Sequence, residues 1–405
     1  MASIHPFRAL RPAPGTAPSV SSVPYDVVTT EEARELAAGN PLSFLRITRS
    51  EIDLPVSTDP YSAQVYARAR ANFDALKTQA PLVIEDRPSL YFYRLRMGEH
   101  EQTGIAGTFS VDEYEADVIK KHERTRRDKE DDRTRHIIEL RAQTGVVFLT
   151  YKSSAGVDAI AQRVTAGDAL YDFTADDGVH HAVWRASDAD AVELVAEFAK
   201  IPALYIADGH HRAASAARAR AELKGQPDAA ASNSFIAVAF PDDQVQILPY
   251  HRTVKDLAGR APEQFLEDVR RVAPVAEGPA TPGHKGKVSM YLAGRWYVID
   301  LSKTRAKDGS RADSLDVALL QRHVLEGILG IGDVRSDTRI GFIGGARGTK
   351  ALEQAVDSEE VAVAFSMHPV TVDDLMAISD AGGIMPPKST WFEPKLRDGL
   401  LIHTI

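Results

Sequence analysis

The chain has 405 residues, 44% of them hydrophobic and 26% charged, which is enough for a large core in two or three domains. A formal net charge of -9 argues against long-range attraction to nucleic acid or to an anionic membrane, and no stretch is apolar enough to span a bilayer. With no cysteine, disulfides, thiolate metal sites and cysteine nucleophiles are excluded together, and the cytoplasm is the expected compartment.

The chain opens on a Pro-rich segment that begins His5-Pro6-Phe7-Arg8 and continues to Val23-Pro24-Tyr25-Asp26. Pro24 fixes the backbone ahead of Tyr25 and Asp26, so an ordered turn is expected there. Turn-and-cap roles and a site role are equally open for those two residues. Thr29 and Glu32 have the spacing of a capping box, and the helix that follows should stop near Gly39-Asn40-Pro41. Phe44 to Thr48 reads as a strand, Tyr61 to Lys77 as an amphipathic helix, and Leu90 to Arg96 as an alternating strand.

The most charged stretch is next. On one helix, His122, Arg126, Lys129, Arg133 and His136 recur at spacings of four and three and would share a face. Glu123, Glu130 and Asp132 flank that basic stripe. The plain alternative is a solvated helix laced with ion pairs. Gly145 to Tyr151 reads as a buried strand, His180 to Trp184 as another, and Val192 to Lys200 as a short helix.

Leu204 to Ala207 is a short apolar run, and the Ala-rich run after Arg212 is the strongest helix former in the chain. Between them lies Asp208-Gly209-His210-His211-Arg212, a tight strand-to-helix turn. Gly209 allows a sharp bend and close approach of a ligand. The helix start leaves N–H groups unpaired at the positive end of its dipole, so an anion is the natural occupant. Asp208 is placed to hold a cation or orient a hydroxyl. A simple cap would account for the aspartate but not for four polar groups crowded at one helix start.

Phe235 to Phe240 and Gln246 to Pro249 resemble a hairpin, followed by Tyr250-His251-Arg252; Glu277 to Gly286 is a linker or surface loop. Val288 to Leu292 and Trp296 to Leu301 form a second hairpin candidate. Helix and strand then alternate over Ser314–Gly327, Thr338–Ile343, Lys350–Asp357, Val361–Phe365 and Thr371–Ser379, which argues for an α/β layered region. Near the end, Pro386-Pro387-Lys388-Ser389-Thr390 is a stiff loop offering a lysine, two hydroxyls and free N–H groups, a suitable grip for a phosphate or nucleotide.

His-Pro-Phe-Arg-Ala-Leu, Pro-Tyr-Asp-Val, Lys-His-Glu-x-Thr, Asp-Gly-His-His-Arg, Leu-Pro-Tyr-His-Arg and Pro-Pro-Lys-Ser-Thr-x-Phe-x-Pro-Lys together resemble the prokaryotic domain of unknown function ten-fifteen over nearly the whole chain. The central turn is also similar to the phosphate-binding turn of the ParB/sulfiredoxin superfamily, which includes the free serine kinase with its Asp-Gly-x-His-Arg pattern. His210 stands where sulfiredoxins carry their cysteine, so that chemistry is excluded.

This resemblance implies a mixed α/β fold: a ParB/sulfiredoxin-like strand–turn–helix core elaborated by N- and C-terminal α/β layers. Residues 1–200 and 201–405 are the expected regions, with the site at their junction. It further implies transfer of phosphate from ATP or ADP to an amino acid, free L-serine, with Mg2+. Asp208, Glu123 and Arg212 are then the catalytic candidates, with Asp208 the metal candidate. Gly209, His210, His211, His122, Lys388, Ser389 and Thr390 would hold the nucleotide. Rival readings are a nucleotide-hydrolysing regulatory protein and a metal-dependent hydrolase built on His122, His210, His211 and His251. No nucleic-acid or membrane partner is expected, and a homodimer is left open.

Overall fold

The computed structural model describes residues 1–79, 82–227, 229–306 and 308–405. The chain forms two compact units, residues 1–245 with 394–405, and residues 246–393. Residue 200, where the sequence reading divides the chain, lies inside the first unit, between strands of a single sheet.

That sheet has eight strands: β1 (Tyr91–Met97), β2 (His100–Ser110), β3 (Ile119–Lys120), β4 (Val147–Tyr151), β5 (Tyr171–Thr174), β6 (His180–Arg185), β7 (Leu204–Asp208) and β8 (Ser234–Pro241). Their order across the sheet is β3–β7–β4–β8–β2–β1–β6–β5. β7 runs parallel to β3 and β8 parallel to β4, and the other pairs are antiparallel. β4 is buried along its whole length, as its unbroken apolarity requires of a strand covered on both faces.

Five longer helices accompany it: α1 (Ala63–Gln79), α2 (Arg127–Leu140), α3 (Ala155–Thr165), α4 (Asp188–Phe198) and α5 (His210–Leu223). Ala213 and Ala216 of α5 pack into the same core as Val157 and Ile160 of α3, Leu194 and Phe198 of α4, and the strand residues. Small side chains let α5 lie close to the sheet, which brings its first turn near the start of β4. The capping box forms as expected: the Thr29 hydroxyl accepts from the Glu32 N–H at 3.2 Å, and the Glu32 carboxylate accepts from the Thr29 N–H at 2.8 Å.

Phe44 to Thr48 is not a strand. Leu45–Thr48 is a helical turn, with Phe44 and Ile47 in one apolar cluster and Leu45 in another. Apolar residues three apart on one side are the helical signature, and so short a run is too brief to display it.

The second unit has a six-stranded antiparallel sheet of β9 (Tyr250–Val254), β10 (Val275–Glu277), β11 (Lys287–Leu292), β12 (Arg295–Asp300), β13 (Ile340–Gly344) and β14 (Val363–Ser366). Their order is β10–β12–β11–β14–β9–β13. With α6 (Pro262–Val272), α7 (Lys350–Asp357) and α8 (Val372–Asp380), the unit alternates helix and strand without parallel pairing. The second expected hairpin forms as β11–β12. The first does not, because Gln246–Leu248 pairs with Trp391–Glu393. The helix expected over Ser314 to Gly327 is α-helical only at Asp316–Leu320 and continues as a π turn, Gln321–Glu326.

Several histidines are interior. His136 Nε2 donates to the Ile47 carbonyl at 3.0 Å, and His251 Nδ1 accepts from the Met367 N–H at 3.1 Å. Burial pushes His136 and His251 down to about 4 and His181 to about 3. These groups stay neutral in the folded chain while their unfolded counterparts gain protons below about pH 6.5. Stability is therefore fully present above that pH and is lost toward pH 4, by up to about 1.4 kcal/mol per pH unit for each histidine. Asp398, which burial pushes up to about 7, acts in the opposite sense but is a single group. The urea midpoint should thus fall clearly from pH 7 to pH 5; a flat profile would mean these imidazoles are charged in the folded chain.

Candidate functional site

The central turn is built by a break in the ladder between β7 and β4. Tyr205 opposes Thr150, Ile206 opposes Leu149, and then Asp208 opposes Phe148, so Ala207 is the extra residue of a bulge. A bulge re-aims the side chains that follow it. Gly209 comes next in the left-handed region, at φ 91° and ψ 30°. A Cβ there would lie 3.4 Å from Val147 Cα and 3.3 Å from Arg212 Cδ, a close but attainable fit, so it is the bend that calls for glycine. The Arg212 and Ala213 N–H groups bond the Gly209 carbonyl at 2.9 and 3.1 Å. His210 and His211 head the helix at the positive end of its dipole.

Arg212 is buried and points back into the first unit. Its Nη2 donates to both Asp26 oxygens at 2.7 and 2.8 Å, and its Nη1 to the Val146 carbonyl at 2.7 Å. Burial alone would lower its pKa, but Asp26 and Asp208 outweigh that and raise it. Tyr25 lies between two cations, with the Arg133 guanidinium 4.2 Å and that of Arg212 5.7 Å from its ring centre. The Pro-Tyr-Asp turn, left open by the sequence, thus docks directly on the Asp-Gly-His-His-Arg turn.

The basic stripe does not form as one helix face. α2 begins at Arg127, so His122 and Arg126 belong to the preceding loop, while Arg133 and His136 face the interior. The adjacent acidic residues decide this: Asp132 accepts from Tyr66 at 2.7 Å and pairs with Arg133 at 2.7 Å, which tethers the helix to the N-terminal segment.

The two histidines of the turn clamp that loop. His210 Nε2 accepts from the His122 N–H at 3.4 Å, and His211 Nε2 accepts from the Arg126 N–H at 2.9 Å. An accepting nitrogen is unprotonated, so both rings are neutral with the proton on Nδ1. Burial lowers the pKa of each. Nδ1 of His210 faces Glu123 Oε2 at 3.9 Å. The His122 ring packs edge-on against that of His210, with centres 4.4 Å apart. His122 is 2% exposed, and its ring has only the Ile206 carbonyl as a nearby backbone acceptor among the described residues. Burial pushes it down to about 4. Only Nδ1 of each clamping ring remains as a donor.

Asp208 pairs with Lys395 at 3.3 Å. Burial would raise its pKa, but Lys395 and Arg212 outweigh it and hold the carboxyl well below the usual range. In the sequence Lys395 is marked only by the second of two Pro-Lys pairs, Pro387-Lys388 and Pro394-Lys395, which does not say which lysine reaches the turn. Asp398 is buried beside the same cluster, with one carboxylate oxygen lacking a partner. Its aspartate–glycine context carries no sequence signal.

His251 lies in the second unit and is occupied with Met367, and among the described residues no three His, Asp or Glu side chains gather as a metal set. Lys388, Ser389 and Thr390 also lie in the second unit. Ser389 is buried, its hydroxyl donating to the Pro386 carbonyl at 2.5 Å, so it closes the loop rather than facing outward. Lys388 is exposed in a left-handed conformation, φ 58°.

The family model described as "Protein of unknown function (DUF1015)" matches residues 4–318. The chain belongs to this family. The Pro386–Lys395 motif lies beyond the residues that the DUF1015 match covers. No curated protein matches the sequence. Among solved structures, the chain is similar to SbnI with a C-terminal truncation from Staphylococcus aureus, at 12% identity and a TM-score of 0.40 over 74% of this chain and 87% of that one. It is similar to a free serine kinase variant in complex with AMP, at 12% identity and 0.36 over 73% and 92%. A conserved hypothetical protein from Pyrococcus furiosus gives 13% identity and 0.34 over 74% and 94%.

Two substitutions test this geometry. Asp26→Ala should cost about 2 kcal/mol in urea unfolding, below the cost of breaking a fully buried pair because Asp26 is partly exposed. Gly209→Ala should cost about 1–2 kcal/mol through its backbone conformation. A DUF1015 chain as stable as wild type in both cases would show that the turn is not organised this way.

Proposed function

We propose that this protein is a nucleotide-dependent small-molecule kinase, with free L-serine as the first acceptor to test. The observation that carries this reading is the junction of an ionised aspartate, a left-handed glycine and a helix start whose first N–H groups have no intrahelical partner, beside the buried ring of His122. Phosphoryl transfer needs positioning and charge neutralisation more than covalent chemistry.

In this reading the donor phosphates lie at the start of α5, where the N–H groups of His210 and His211 and the Nδ1–H groups of their rings can donate. Arg212 acts as a positioning residue, since its fork is committed to Asp26 and Val146. An aspartate held strongly ionised is a poor proton acceptor at neutral pH, so Asp208 binds and orients rather than deprotonates. Glu123, facing the proton-bearing nitrogen of His210, takes the base role. The acceptor hydroxyl oxygen bonds to the terminal phosphorus, the bond to the departing nucleotide breaks, and the hydroxyl proton passes to Glu123. Magnesium bound through phosphates needs only one or two protein carboxylates, which Asp208 could supply, and it would neutralise phosphate charge there.

Asp208→Asn should lower acceptor-dependent turnover about 10²–10³-fold, in line with loss of one preorganised electrostatic group. Phosphorus NMR of nucleotide with and without L-serine and other hydroxyl amino acids reads it directly. Nucleotide consumption that ignores every acceptor would overturn the kinase assignment in favour of a slow hydrolytic switch.

A further inference from the structure

The second unit contains two cations that no acidic side chain answers. Arg252 is 4% exposed and donates to the carbonyls of Tyr250, Pro387 and Lys388, the last two from Nη2 at 3.3 and 2.9 Å. Among the described residues no carboxylate pairs with it, and burial lowers its pKa to about 10. Lys388 extends over the Tyr250 ring with Nζ 5.3 Å from its centre, likewise without an ion pair among the described residues. In a chain of 57 acidic against 48 basic residues, two neighbouring cations left unanswered need a reason.

Clamping the loop is not sufficient reason. A buried charge without a counter-ion is costly, and a neutral amide could hold carbonyls without that cost. The loop itself supplies the rest of the argument. The Pro386 carbonyl accepts from the Ser389 hydroxyl, and those of Pro387 and Lys388 accept from Arg252. Three successive carbonyl oxygens, the groups that would repel an anion, are thereby turned onto donors. Glu393, the nearest acidic residue along the chain, accepts from the Trp391 indole at 2.8 Å. Lys388 stands in a left-handed backbone conformation uncommon for a residue with a side chain. Beside it, Tyr250 meets Trp391 edge-on at 5.0 Å and Phe342 at 5.8 Å, a partly exposed aromatic wall.

We propose that the second unit carries its own anion-recognition site, formed by Lys388 on Tyr250 with Arg252 beneath the Pro386–Thr390 loop, and that its ligand is the phosphate chain of a nucleotide. This rests on the kinase reading for the identity of the ligand, but the site stands on its own residues. Lys388 makes the direct contact. Arg252 is a positioning residue: it holds the loop's carbonyls away from the anion and adds a poorly screened charge from below. A base flanking the phosphates would meet the aromatic wall.

Calorimetric titration of the full-length chain with inorganic pyrophosphate at fixed ionic strength tests the site. Wild type should bind, and Lys388→Met should weaken one class of site about tenfold or more, the loss expected for a charge-assisted contact. Arg252→Met should do the same, while Arg252→Lys, which keeps the charge but not the fork, should retain most of the affinity. If Arg252→Met does not fold, the exposed Lys388→Met decides. Absence of binding in wild type, or a Lys388→Met isotherm that superimposes on it, would overturn the site. An inert Asp208→Asn enzyme that keeps Lys388-dependent pyrophosphate binding separates this proposal from the fate of the kinase reading.

Discussion

The buried guanidinium of Arg212 is the constraint on which the first unit's site depends. One side chain draws together Asp26 from the N-terminal turn, the Val146 carbonyl at the entrance to β4, and the backbone at Gly145 and Gly209, where any larger residue would press on it. A buried cation must be answered by well-placed acceptors, and a carboxylate presenting both oxygens to one nitrogen does this at short range. Segments nearly two hundred residues apart are thereby held to one geometry. The glycine bend and the Ala-rich helix are consequences as much as causes, since neither would place the turn so closely without the side chain beneath it.

How much of this the sequence disclosed depends on how local the signal was. The β7–turn–α5 unit was legible because an apolar run, a glycine and an alanine-rich helix former sit side by side. The capping box at Thr29 was legible for the same reason. The partner of Arg212 was not, because Pro-Tyr-Asp reads equally well as a turn and as a site, and only tertiary contact chooses. Lys395 was hidden similarly: it returns to the first unit from the far end of the chain. The basic stripe misled because periodicity cannot tell a helix from a loop leading into one. Its first two members lie in the loop, and Arg133 and His136 turn inward against the N-terminal segment.

The paired histidines show a subtler limit. Adjacent imidazoles at a helix start invite the reading that both donate to an anion. Each in fact spends its Nε2 as an acceptor for backbone at opposite ends of the loop 122–126, which leaves only Nδ1 as a donor. Protonation would convert both acceptors into donors and set them against the N–H groups they now hold. Burial keeps that from happening, so the loop carrying Glu123 is fixed by neutral rings. Tautomer and direction of donation are properties of the assembled site, and no spacing rule contains them.

Charge balance in the buried cluster decides which of its acids gives up a proton. Arg133, Arg212 and Lys395 face Asp26, Asp132, Asp208 and Asp398, three cations against four carboxylates. The mismatch falls on the most deeply buried acid, Asp398, which burial pushes up to about 7, while Asp208 is held ionised by Lys395 and Arg212. Two carboxyls near one guanidinium are thus driven apart in proton affinity by environment alone. Protonation of Asp398, which burial favours, brings the cluster toward neutrality. On the clamped loop and at the head of α2, Arg124 and Arg127 are exposed and without an ion pair among the described residues. The buried charges fix the geometry of the turn, and the exposed ones take no part in that balance.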